Sequence, residues 1–266
     1  MGDRPQEAWG KGGPYERYVG RWSRIVAREF VNWLAIPTGR EWVDVGCGTG
    51  ALMEAILTHC APQAVIGIDR SEGFVAAAAR GQTADARARF QVGDAMALPL
   101  DTATYDVIVG GLVLNFVTDH VAMVRRMMRV TKPGGKIAAY VWDYAGGMAI
   151  MRHFWDAAIA VRPDDAKLDQ AERFPLCQPE PLVALWQDLG LTSVVVRAID
   201  IPTIFTDFED YWTPFLGKQG AAPTYLAAVD AETQRQIRTH LASRLRPAPD
   251  GTIALTARAW AVQGMV

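Results

Sequence analysis

The sequence predicts an α/β protein built on a mostly parallel sheet with helices on both faces. Three observations carry that reading. Short apolar runs alternate with stretches whose apolar residues recur at helical spacing. A glycine turn, VDVGCGTG (43–50), closes the first of these runs. Acidic residues, Asp69 and Asp94, then stand at or just past the ends of the next two. Strands that alternate with helices imply parallel neighbours joined by right-handed crossovers.

Residues 1–14 (MGDRPQEAWGKGGP) read as a flexible lead-in without the apolar core of a signal peptide. A helix spans most of 15–36, with Tyr18, Trp22, Ile25, Val26, Phe30 and Trp33 on one stripe. Strand one is 42–45, and the glycine turn delivers it into a helix at 51–58. Strand two, 64–68, ends at Asp69 and precedes an alanine-rich helix at 72–80. Strand three is 89–92, strand four 105–109, and a helix at 119–130 carries Val121, Val124, Met127 and Met128. Lys-Pro-Gly-Gly (132–135) is a turn before strand five, 136–142.

Beyond that point the rhythm breaks. A polar stretch with a helix at 148–161 leads to a second helix at 180–189, and strand six is 194–201. A helical insertion covers 205–249, and strand seven is 253–262. The chain is expected to be a single domain, 1–266, with 143–180 and 205–249 as lid insertions. Ligands of α/β sheets bind at the carboxyl ends of the strands, where such insertions belong.

Composition narrows the function. Half of the 266 residues are hydrophobic and 21% are charged, an ordinary soluble balance. A net charge of −2 gives no basic footprint for nucleic acid. No polybasic run or long apolar run points to a membrane surface or to membrane insertion. Cys47, Cys60 and Cys177 lack metal or redox spacing, which fits a reducing cytoplasm. His59, His120, His153 and His240 lie far apart, so no metal site is expected; His153 alone is a candidate base.

The glycine turn admits two chemistries. Gly46-x-Gly48-x-x-Ala51 fits a dinucleotide fingerprint, whose glycines admit a pyrophosphate at a helix start. Asp44 two residues ahead of Gly46 fits a site for S-adenosylmethionine, with the acid fixing the turn and meeting a ligand amine. Asp69 can accept bonds from ribose hydroxyls in either case. Asp94 separates the two, because an acid followed by Ala95 past strand three can hold the adenine amine and a ring nitrogen.

Taken together, VDVGCGTG, VIGIDRS, FQVGDAMALPL, YDVIVGGLVLNFV and MMRVTKPGGKIAAYVW resemble, in order and spacing, the class I S-adenosylmethionine-dependent methyltransferases. The likeness covers about 42–142 and looks closest to the ubiquinone/menaquinone-biosynthesis branch. It implies a Rossmann-like seven-stranded sheet whose last strand enters antiparallel between the fifth and sixth. It also implies that Gly46, Cys47 and Gly48 line the methionine part, Asp69 the ribose with Arg70 and Ser71 beside it, and Asp94 and Ala95 the adenine. Gly111, Leu112 and Phe116 would wall the sulfonium. The N-terminal helix resembles a cap over the cofactor, with Tyr18 and Arg21 as its contacts. Asn115, Trp142, Tyr211 and Trp212 are the candidate residues of the acceptor chamber. The expected activity is in-line methyl transfer to a small-molecule acceptor, leaving S-adenosylhomocysteine. A sensor or interaction protein that binds the cofactor without catalysis is the alternative.

Overall fold

Glu41–Val45 form strand β1, and four of these five residues are buried. A strand covered on both faces reads as a continuous apolar run rather than an alternation. β1 pairs in parallel with β2 (Ala64–Asp69) and with β4 (Tyr105–Gly111). Parallel pairing continues from β2 to β3 (Ala88–Val92) and from β4 to β5 (Thr131–Trp142). β7 (Ile253–Met265) runs antiparallel to β5 and separates it from β6 (Thr192–Phe205). In the seven-stranded order β3-β2-β1-β4-β5-β7-β6 the last strand lies between the fifth and sixth, as the resemblance implies. The structure, a computed structural model, describes residues 16–82, 85–218 and 220–266. The expected lead-in and Tyr15 of the cap helix lie outside the described residues.

The helices form where the apolar spacing places them. A π turn, Glu16–Gly20, leads into α1 (Arg21–Leu34), which buries Trp22, Val26, Phe30 and Leu34. The Phe30 ring packs on Tyr140 of β5, with 4.7 Å between centroids. α2 (Ala51–His59) follows the glycine turn, and α3 (Glu72–Gly81) starts at Ser71, whose hydroxyl accepts the Phe74 N–H. α4 (His120–Val130) is capped by Asp119, which accepts the Ala122 N–H at 2.8 Å. Such caps satisfy amide groups that a helix start leaves open. The Lys-Pro-Gly-Gly turn is absorbed into β5. Thr131 pairs with Tyr105 and pairing resumes at Lys136 with Val107, so the intervening residues bulge from the ladder.

The chain divides into two compact units. The larger, Trp22–Trp142, Leu176–Ile199 and Ala259–Val266, holds the glycine turn and the strand ends that follow it. It includes α7 (Pro179–Asp188), which buries Leu182 and Trp186. The smaller comprises Met1–Arg21, Asp143–Pro175 and Asp200–Arg258, with α5 (Ala149–Val161), α6 (Gln170–Arg173), α8 (Phe208–Trp212), α9 (Ala221–Ala228) and α10 (Ala231–Arg244).

Aromatic rings fill the smaller unit's interior. Phe154 stacks on Phe215 at 4.6 Å, and Tyr18, Tyr211 and Trp212 pack around Phe215. The guanidinium of Arg152 is paired with the buried Asp169 at 2.6 Å and also donates to the Tyr144 carbonyl. A charge so enclosed is stable only when paired and hydrogen-bonded.

Candidate active site

The glycine turn is a backbone device. Gly46 sits at φ +74°, and its N–H and that of Cys47 both donate to the Ile68 carbonyl of β2. A Cβ on Gly46 would stand 2.3 Å from Cγ2 of Val113, in the loop after β4. Only glycine gives both the left-handed turn and that close approach. α2 begins directly after the turn, with no side chain capping its N-terminus.

Asp69, at the end of β2, ties this turn to the next helix. One carboxylate oxygen accepts the Gly48 N–H at 3.0 Å, and the other accepts the Ser71 N–H at 2.8 Å. Each oxygen keeps a further lone pair for a ligand hydroxyl. Arg70 is exposed beside it. Asp94, past β3, folds onto its own loop, accepting the Met96 N–H at 2.8 Å, while its carbonyl accepts the Ala97 N–H. Gly93 donates to the Asp69 carbonyl, which links the two acid loops.

Asp44 is buried completely, and neither carboxylate oxygen has a hydrogen-bond partner. Burial, with the charge of Asp69 adding to it, pushes its carboxyl up to about 7. The Met53 N–H favours the charged form from outside hydrogen-bonding geometry. Burial likewise pushes the Cys47 thiol up, helped by Asp44 and Asp69, so its sulfur stays protonated.

The loop after β4 supplies the other side of the site. Gly111 is crowded by Tyr140, whose hydroxyl would lie 2.6 Å from an added Cβ. Leu112 adopts φ +57° and donates its N–H to the Tyr140 carbonyl at 2.8 Å. A short 3-10 turn, Leu114–Phe116, then buries Asn115, and neither atom of its amide has a hydrogen-bond partner. Trp142 is buried at the end of β5, opposite Ala259 of β7.

Sequence reasoning named these residues but missed how they are held. Val113 over Gly46 and Tyr140 behind Gly111 were signalled only by the Gly-Gly pair that closes β4. Five of the named residues lie in the smaller unit. The Tyr18 hydroxyl donates to the Met151 sulfur at 3.0 Å. Arg21 is paired with both oxygens of Asp210, at 3.0 and 3.2 Å, and lies over the Phe205 ring. The Tyr211 hydroxyl donates to the Ile150 carbonyl at 2.9 Å, and Trp212 is buried beside Phe208. His153 on α5 is half-buried, and that burial lowers its pKa. Among the described residues no group of three or more His, Cys, Asp or Glu could hold a metal ion, and no helix is long and apolar enough to cross a membrane.

Residues 43–139, which include most of β1 through most of β5, match the family described as Methyltransferase domain. A demethylmenaquinone methyltransferase of Shouchella clausii is 34% identical over 133 residues, covering 46% of this chain and 57% of that protein. A demethylmenaquinone methyltransferase of Staphylococcus aureus is 30% identical over 188 residues, covering 66% of this chain and 76% of that protein. The chain belongs to the class I S-adenosylmethionine-dependent methyltransferases, in the quinone-biosynthesis branch.

The first of these methyltransferases is matched over little more than half its length. The methyltransferase fold is shared more widely. Phosphoethanolamine N-methyltransferase 2 of Haemonchus contortus, solved with phosphomonomethylethanolamine and S-adenosylhomocysteine, superposes with a TM-score of 0.59. That match covers 95% of this chain and 56% of that one at 17% identity, a likeness of fold.

Proposed function

We propose that this chain binds S-adenosylmethionine along the ends of β1, β2, β3 and β4 and transfers its methyl group to a small-molecule acceptor of quinol type. Asp44 carries the reading. A wholly buried carboxyl group with two unpartnered oxygens beside a glycine turn is a costly arrangement unless a ligand completes it. The cationic amine end of the cofactor is such a ligand. Asp69 offers its remaining lone pairs to the ribose hydroxyls, and Asp94 with Ala95 faces the adenine. Arg70 and Ser71 flank the ribose. Gly46, Cys47 and Gly48 present backbone to the methionine part, while Gly111, Leu112 and Phe116 wall the reacting end. Trp142, buried at the end of β5, belongs to this proposal as an acceptor-chamber residue.

The cofactor supplies an activated methyl carbon whose bond to sulfur breaks as the bond to the acceptor forms. The acceptor's displaced proton passes to solvent. The chain's own part is to align acceptor, carbon and sulfur and to exclude water. The curated relatives named demethylmenaquinone methyltransferase support a quinol as acceptor.

Two measurements test the reading. In a thermal-shift assay S-adenosylhomocysteine should stabilise the protein and NADH and NADPH should not. Methyl-labelled cofactor should then deliver label to hydroquinones in a panel that also contains amines and carboxylates. Stabilisation by a nicotinamide alone, or cofactor binding with no transfer to any acceptor, would overturn it; the latter is the behaviour of a sensor.

A further inference from the structure

Asn115 is 6% exposed, and both its amide oxygen and its amide nitrogen lack a partner. An amide buried in this way forfeits the bonds it made to water in the unfolded chain. The turn that carries it is held against relaxing. Leu112 keeps a left-handed backbone that branched side chains seldom adopt, anchored through its N–H to Tyr140. Phe116 donates its N–H to the Val113 carbonyl at 2.9 Å, and Val113 is wedged against Gly46. Strain and an unsatisfied group persist together only where the surroundings fix them, and such places are commonly ligand sites. The residue before Asn115, Leu114, is apolar and wholly buried.

We propose that the Asn115 amide binds a hydroxyl group of the methyl acceptor and thereby selects uncharged hydroxylated aromatics, phenols or hydroquinones, over amines and carboxylates. This rests on the methyl-transfer reading above. The amide is neutral, with an acceptor oxygen and a donor nitrogen, so it suits a group that both gives and takes a hydrogen bond. A hydroxyl does both. A charged acceptor would shed its hydration against an apolar turn with no opposite charge from Asn115 to replace it. The amide neither gives nor receives a proton; it fixes the ring's orientation next to the methyl group.

The test pairs acceptor and residue. A hydroquinone and the same ring with each hydroxyl in turn replaced by hydrogen or methoxy are assayed with wild type, Asn115→Ala and Asn115→Leu. Wild type should prefer the intact hydroquinone by roughly 100-fold in kcat/KM, because a site built to bond a hydroxyl rejects its absence. Both variants should lose most of that preference while holding S-adenosylhomocysteine within about twofold of wild type. Asn115→Leu should also raise the free protein's Tm by roughly 3 °C, since an apolar residue of similar size removes two unmade hydrogen bonds. An amide with a purely structural role would lower it. Undiminished preference in the folded variants overturns this inference and leaves methyl transfer standing. A matching loss of S-adenosylhomocysteine affinity also overturns it, placing Asn115 on the cofactor. A wild type that transfers methyl to no acceptor overturns both.

Discussion

Val113 occupies the space that a side chain at residue 46 would need: its Cγ2 lies 2.3 Å from the position of an added Cβ. The loop after β4 is thus packed directly onto the turn after β1.

Gly46→Ala meets two penalties, the clash with Val113 and a backbone at φ +74°. It should cost about 3 kcal/mol of stability or more and weaken S-adenosylhomocysteine binding by roughly 100-fold or more. Val113→Ala should restore part of the stability lost, so the double mutant is better than the sum of the single changes. Strict additivity in denaturant unfolding would mean that the two loops move independently.

Asp44 makes the protein sensitive to pH. Its carboxyl titrates near 7 when folded and near 3.8 when unfolded. The raised value means that its stabilising contribution is complete below the unfolded pKa and is lost as pH rises through the folded one. From this group the wild type should lose up to about 4 kcal/mol between the two values. Asp44→Asn should be the more stable free protein at pH 8 and should lose this advantage at pH 4. The same substitution should weaken cofactor binding, because a neutral amide cannot balance a cation. For wild type, binding a cation lowers the carboxyl's pKa, so affinity should rise from pH 6 to pH 8 with release of a proton. Calorimetry in buffers of different ionisation enthalpy measures that release. Affinity and proton count both flat with pH would place the cation elsewhere.

Asp69 holds the turn through the N–H groups of Gly48 and Ser71. Removing its carboxylate in Asp69→Ala leaves the N–H groups of Gly48 and Ser71 without their acceptor. Cofactor affinity should fall by about 100-fold. Hydrogen exchange at the Gly48 amide should accelerate even without cofactor. Protection equal to wild type would show that the ribose contact, not the loop, accounts for the lost affinity.

The Tyr211 hydroxyl is fully buried and bonded to the Ile150 carbonyl. Tyr211→Phe should therefore cost about 1 kcal/mol of stability and leave KM for the acceptor within about twofold, the ring itself being retained. A larger rise in KM would put the hydroxyl against the acceptor.

Local physics made the sheet legible. Apolar runs such as Val43–Val45 and Ile66–Ile68, punctuated by glycine and acid, leave few alternatives to strands crossed by helices. The glycine turn was legible for the same reason, since Gly46 and Gly48 answer a steric demand within a few residues. What stayed hidden depends on distance along the chain. Tyr18 meets Met151 across 133 positions and Arg21 meets Asp210 across 189, and no periodicity announces such pairs. The Lys-Pro-Gly-Gly segment reads as a turn in isolation, yet the flanking pairs Thr131–Tyr105 and Lys136–Val107 capture it as a bulge. Asn115 was named from its place after β4; its unmade hydrogen bonds are a property of tertiary burial.

The position of β7 has a consequence for how the protein is made. β6 is an outer strand whose one neighbour is β7, and β7 leaves the ribosome only after the helices α8, α9 and α10. Strands β1 to β5 can pair in the order they emerge, but β6 must wait with an open edge until a later strand slides in beside β5. Unpaired edges recruit other chains. Slow translation or a helix-breaking change in the residues between β6 and β7 should then lower the yield of soluble protein, even when the finished molecule is as stable as before.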